Sequence, residues 1–255
     1  MGIMDWQQKA DQRMREVLPT RQAEGLIRLV GFVRSVKGSD AKFKRFAGAK
    51  TAEEVFDIHA EITYALIFMG VGFGAEFEPL GEEGPDLMVT RDGHSAYVEV
   101  KRFRNSAVPG ARNLSDPDGI PIFQQYGNPL KDIAKIRGEL MKKFRQVREG
   151  NGIVAFWSDN DHLDIEFPFA VTDVREDVYN QIQTVPEGFL FSVFASDSMA
   201  VRQHQQIYCR SVSPLQEPSS TWVYDLESSL VDDCIRSALR MLRGNTPPGI
   251  GTSPT

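Results

Sequence analysis

Three residues of opposite charge type stand close together in an otherwise apolar stretch of this chain. Gly84-Pro85-Asp86 is followed, after the twelve residues from Leu87 to Val98, by Glu99-Val100-Lys101. The intervening segment reads as two strands on either side of Asp92-Gly93, the turn dipeptide of a tight β-hairpin. On a strand the side chains alternate faces, so Glu99 and Lys101 point one way while Val98 and Val100 point the other. Asp86 opens the partner strand within cross-strand reach of the same face. Two carboxylates and an ammonium group thus converge at one end of the hairpin. Carboxylate oxygens suit Mg²⁺, which keeps several waters and takes one or two protein carboxylates together with substrate phosphate. A lysine beside such an ion orients a water molecule and neutralises charge that develops on a phosphoryl group.

The elements around these residues follow from local signals. Residues 5–17 and 20–37 read as two helices separated by Pro19, followed by a basic stretch from Lys37 to Lys50. Thr51-Ala52-Glu53-Glu54 has the form of a capping box and starts a helix that runs to about Met69. Gly70, Gly72 and Gly74 end it and lead into a strand over 73–77, then the hairpin. Residues 104–128, rich in Pro, Gly, Asn and Asp, read as a long loop. Asn128-Pro129 supplies an N-cap and an N1 proline for a helix through Glu149. Gly152–Trp157 is nearly all apolar, as expected of a strand buried on both faces. A helix from about Asp173, strands near 189–194 and 206–209, a helix over 225–243 and a disordered tail over 245–255 complete the reading.

With this order of elements on the page, Asp86, Glu99 and Lys101, with Pro85 before the aspartate, resemble the signature of the PD-(D/E)XK nuclease superfamily, the restriction-endonuclease-like phosphodiesterases. The resemblance covers roughly residues 51–158. It implies an α/β fold with an αβββαβ core, a mixed sheet of about four or five strands flanked by helices. The corresponding division of the chain is a helical N-terminal segment (1–50), a nuclease-like core (51–160), an α+β C-terminal extension packed on it (161–244) and the tail. It also implies a further acid from the helix that precedes the hairpin. Val55, Ile58, Ile62, Leu66 and Met69 form the apolar stripe of that helix, and Glu61 lies just beyond its edge, whereas Asp57 and Glu53 lie further toward solvent. Glu61 is therefore the expected helix acid, and it is followed by Tyr64-Ala65-Leu66-Ile67-Phe68-Met69-Gly70, an apolar run and glycine similar to the family pattern.

The resulting expectation is a Mg²⁺- or Mn²⁺-dependent nuclease that acts on DNA in preference to RNA. Asp86, Glu99 and Glu61 are its expected metal ligands, with the Val100 carbonyl in support, and Lys101 is its water-positioning residue. Arg102, Arg104, Lys135, Lys142 and Arg145 are candidates for contact with the nucleic-acid backbone. The alternatives are a non-catalytic nucleic-acid-binding module and a protein-interaction protein that retains the fold.

Charge distribution fits this expectation better than net charge does. The 255 residues carry a formal charge of −6, unhelpful for a binder of phosphate backbones. Residues 28–50, however, hold seven Lys/Arg and one acid, residues 51–99 eleven acids and one arginine, and residues 100–150 eleven basic residues and five acids. An acidic segment that contains the expected ligands is thus flanked by basic ones. Two cysteines, Cys209 and Cys234, lack metal-ligand spacing and read as reduced thiols of a cytoplasmic protein. No apolar run has the length of a membrane span and no signal-peptide pattern opens the chain; the oligomeric state stays open, a homodimer included. His59-Ala60-Glu61 mimics the H-x-E of zinc deaminases, but no P-C-x-x-C follows. There is no P-loop and no G-x-S-x-G.

Overall fold

The computed structural model describes residues 6–104, 114–115, 121–122, 129–144, 152–158, 163–180, 189–196 and 208–213. Four helices come first: α1 (Trp6–Val17), α2 (Thr20–Gly31), α3 (Ser39–Gly48) and α4 (Ala52–Gly70). Then follow β1 (Gly74–Phe77), β2 (Leu87–Arg91), β3 (His94–Phe103), β4 (Leu114–Ser115), β5 (Pro121–Ile122), α5 (Pro129–Phe144), β6 (Gly152–Ser158), α6 (Leu163–Tyr179), β7 (Phe189–Ser196) and β8 (Tyr208–Ser213). The fold is mixed α/β. Six strands form one sheet in the order β1-β2-β3-β6-β7-β8, and β4 and β5 pair separately. The β1–β2, β2–β3 and β7–β8 pairs are antiparallel, and β3–β6 and β6–β7 are parallel. Each parallel pair needs a crossover, and α5 and α6 lie in the two connections.

The hairpin forms as its turn residues dictate. Arg91 pairs with His94 across a two-residue turn in which Asp92 and Gly93 both take positive φ, 52° and 80°. That backbone matches the twist of the flanking strands and favours Asp-Gly. Strand β6 is buried along its whole length because both of its faces are covered. Ile153, Ala155 and Trp157 pack into the core that contains α4, while Val154 and Phe156 pack with Ile136, Leu140, Phe167 and Val174 from α5 and α6. The same alternation runs through β3: Ala96, Val98 and Val100 belong to the α4 core, and Phe103 to the α5–α6 core. Glu99 and Lys101, of Phe103's parity, are set on the α5 side.

Helix α4 begins as expected, with Thr51 Oγ1 accepting from the Glu54 N–H at 3.3 Å. Glu54 departs from a standard capping box: its carboxylate accepts from the N–H of Lys50, one residue before the cap. The helix is buried on nearly all sides from Ala60 to Phe68, more completely than a single apolar stripe implies. Tyr64, fully buried, donates its hydroxyl to the Phe156 carbonyl, which satisfies the one polar atom of that ring.

Three elements differ from the sequence reading. The second helix stops at Gly31, and a separate helix, α3, occupies the segment read only as a basic stretch. Gly38, with φ 83°, separates the two, and a Cβ there would fall 2.1 Å from the Phe77 carbonyl oxygen. The chain makes this close approach because the Phe77 N–H donates to the Lys37 carbonyl at 2.9 Å, which ties the start of α3 to the edge strand β1. Helix α6 starts at Leu163, ten residues before the expected Asp173. Its buried Phe167, Ala170, Val171 and Val174 follow helical spacing, and their packing outweighs the missing backbone donor of Pro168. The sheet also has six strands instead of four or five, since β7 and β8 continue it directly. The helix expected over 225–243, the tail over 245–255 and most of the loop over 104–128 lie outside the described residues.

Candidate active site

The hairpin register places Asp86 one step beyond the Leu87–Val98 pair, across from Glu99. Its carboxylate turns back on the motif strand: Asp86 Oδ2 accepts the Val100 N–H at 2.8 Å. One hydrogen bond therefore fixes the aspartate against the backbone that carries Glu99 and Lys101. The Asp86 carbonyl in turn accepts from the Glu78 N–H at 3.0 Å, so the loop between β1 and β2 closes on itself beside the site. Glu61 reaches the same place from α4. A cleft of about 590 Å³ is lined by Glu61, Asp86, Glu99, Val100 and Lys101, with Lys135, Glu139 and Lys143 from α5 and Asp57, Arg102, Phe103 and Arg104 on its other wall.

The four expected catalytic residues thus share one cleft, but their surroundings differ. Glu61, 6% exposed, is held by two cations from α3. Its Oε2 meets Lys42 Nζ at 2.6 Å and an Arg45 nitrogen at 2.8 Å, and its Oε1 accepts from the other Arg45 nitrogen at 3.0 Å. Lys42, fully buried, also binds Glu78 Oε1 at 2.7 Å, and Arg45 reaches the same oxygen at 3.3 Å. Burial works to raise the Glu78 carboxyl, but Lys42 and Arg45 outweigh it and hold the group below its usual range. Burial likewise opposes charge on Arg45, and Glu61 more than compensates.

Asp86 has the contrary environment. Burial, reinforced by the charges of Glu61 and Glu99, raises its pKa to about 7 against the opposing pull of Lys42 and the Val100 N–H. Glu99 is paired through Oε1 with Lys143 of α5. Lys101 lies 3.4 Å from Glu139, which also accepts from Lys142 at 2.7 Å. Burial acts to raise the Glu139 carboxyl, yet Lys142 and Lys101 bring it below its ordinary value.

Among the backbone-contact candidates the structure separates two kinds. Arg102 is buried: its guanidinium binds Glu53 at 2.8 Å and Asp57 at 3.0 Å and lies over the Phe56 ring, so it ties β3 to α4. Arg104 is exposed and paired with Asp57, Lys135 is exposed over the Phe103 ring, and Lys142 is exposed beyond Glu139. These three border the cleft or project beside it. Arg145 lies outside the described residues.

No family model matches the chain, and no curated protein or solved structure is significantly similar to it. The chemistry must therefore be argued from the residues. No helix of the described residues is long and apolar enough to cross a membrane.

Sequence reasoning missed Lys42, Arg45, Glu78 and Glu139, and the pairing of Lys143 with Glu99. For Lys143 and Glu139 a signal existed: with Lys135 they fall at i, i+4 and i+8 of one helix, on a single face. Lys42 carried none, since a lysine in a basic segment is ordinarily solvated.

The donor set suits a hard divalent cation. Asp86 and Glu99 each have one carboxylate oxygen outside the hydrogen bonds described, and the Val100 carbonyl follows Glu99 directly on the same strand. All three are oxygen donors, as Mg²⁺ and Mn²⁺ prefer. Among the described residues no three His, Cys, Asp or Glu side chains group at metal-binding range.

Proposed function

We propose that this chain is a metal-dependent nuclease of the restriction-endonuclease-like, PD-(D/E)XK type, which hydrolyses phosphodiester bonds in DNA. The observation that carries the reading is the Asp86–Val100 hydrogen bond, which draws the aspartate onto the Glu99–Lys101 strand inside a charged cleft. With the separate β4–β5 pair set aside, the order α4-β1-β2-β3-α5-β6 supports it, because it is the order that the resemblance implies.

Asp86, Glu99 and the Val100 carbonyl would hold the divalent ion, which when bound supplies Lewis-acid stabilisation of a phosphoryl oxygen. The side chains divide the remaining work. Lys101 projects from the next position on the same strand face as Glu99, where its ammonium donates to the attacking water or to a non-bridging phosphate oxygen. Glu139, held as a carboxylate by Lys142 and Lys101, pairs with that ammonium at 3.4 Å on the wall of the cleft. Water oxygen bonds to phosphorus as the bond to the 3′ oxygen breaks; the attacking water releases a proton to solvent, and the leaving 3′ oxygen takes one from solvent to become a hydroxyl. The products are a 5′-phosphate and a 3′-hydroxyl. Arg104, Lys135 and Lys142 provide the basic rim for the strand on either side of the scissile bond.

The test is incubation with single- and double-stranded DNA in Mg²⁺ or Mn²⁺, comparing the wild type with Lys101→Ala and Asp86→Ala. Cleavage that both substitutions abolish supports the reading; cleavage unaffected by either refutes the catalytic assignment. Salt-sensitive DNA binding without cleavage under any metal would favour a non-catalytic binding module instead.

A further inference from the structure

The helix acid was expected to bind a metal, but its partners in the structure suit another role. Both oxygens of Glu61 are engaged, by three charge-assisted contacts of 2.6–3.0 Å from Lys42 and Arg45. Lys42 has no solvent-exposed surface and bridges Glu61 to Glu78, so it cannot swing into water without breaking two ion pairs. Glu99 is different, because its pair with Lys143 engages only one oxygen.

Resting on the nuclease reading above, we infer that the site takes a single divalent cation, and that Lys42 and Arg45 are positioning residues that withhold Glu61 from metal. Their fixed positive charge occupies the place a second ion would otherwise fill. Helix α3, pinned to β1 through Gly38 and Lys37, is the element that delivers them.

The experiment is titration of the purified full chain with Mn²⁺, read as bound ions per chain by loss of the free-ion electron paramagnetic resonance signal. The wild type should bind one Mn²⁺. Glu61→Gln should still bind one, with Kd within about threefold of wild type, while Asp86→Asn should lose it. In Arg45→Met, at a half-exposed position where folding is expected to survive, partial release of Glu61 should admit a second, weaker ion. Two ions per wild-type chain, loss of the ion in a folded Glu61→Gln variant, or a stoichiometry still at one in Arg45→Met would overturn the inference while the nuclease reading stands. No bound ion in the wild type would overturn both.

Discussion

Two charged regions lie side by side in this molecule, and they are built on opposite terms. In the network of Lys42, Arg45, Glu61 and Glu78 each buried carboxylate meets two cations, and Glu78 titrates below its usual range as a result. In the motif region Asp86, half-buried beside two other carboxylates, accepts from the Val100 N–H, and its pKa rises to about 7. The first arrangement is what a fold does with charges that it must bury: it satisfies them. The second leaves a half-buried carboxylate with a raised pKa, the kind of perturbation that clusters at functional sites. On the proposed reading, the difference separates acids that hold the site in place from acids that act in it, with Glu61 among the first.

The contrast can be broken by substitution. The largest effect is expected at the motif. Asp86→Asn should lower cleavage about 10³-fold, near 4 kcal/mol of transition-state stabilisation. The same change should stabilise the metal-free protein at neutral pH. A carboxyl whose pKa is raised on folding contributes stability at low pH, and that contribution fades as pH rises from about 4 to about 7. The difference in Tm between Asp86→Asn and the wild type should therefore grow over that window and level off above it. A constant difference would mean that Asp86 is not the strained group.

Next comes the satisfied network. Lys42→Met leaves Glu61 and Glu78 with Arg45 alone and should cost about 3 kcal/mol, in the range for breaking a buried pair, measured by denaturant unfolding. A cost below about 1 kcal/mol would show that these charges are solvated in solution. Gly38→Ala should follow at about 2 kcal/mol, because it meets both a left-handed backbone and a carbonyl at 2.1 Å. Arg104→Ala touches only the exposed rim. It should weaken DNA binding by less than about 1 kcal/mol and flatten the salt dependence by about one ion, with the cleavage rate at saturation unchanged.

Much of the fold was legible because its signals are local. The Asp92-Gly93 turn, the Thr51 cap, the Pro129 helix start and the all-apolar run of β6 each declare an element within a few residues. The Asp86–Glu99–Lys101 face followed from strand parity alone. Helix α3 was not legible, because its buried Phe43 and Phe46 are too few to outweigh the basic residues around them, and the glycine that starts it is explained only by a contact with Phe77, far along the chain. The clamp on Glu61 was hidden for the same reason. Lys42 and Arg45 are unremarkable as a sequence and acquire a role only when α3 is tied to β1. Helical geometry did place Glu61 at the cleft, but could not show what would be waiting for it there.

Whether the Asp86–Glu99–Lys101 face cuts DNA with the help of a divalent ion can be read from end-group analysis of DNA incubated with the wild-type chain and with Lys101→Ala, with and without Mg²⁺ or Mn²⁺. Metal-dependent cleavage that leaves 5′-phosphate ends and falls at least about 100-fold in Lys101→Ala is expected. Cleavage of equal rate in the variant, or none by the wild type with either metal, would contradict it.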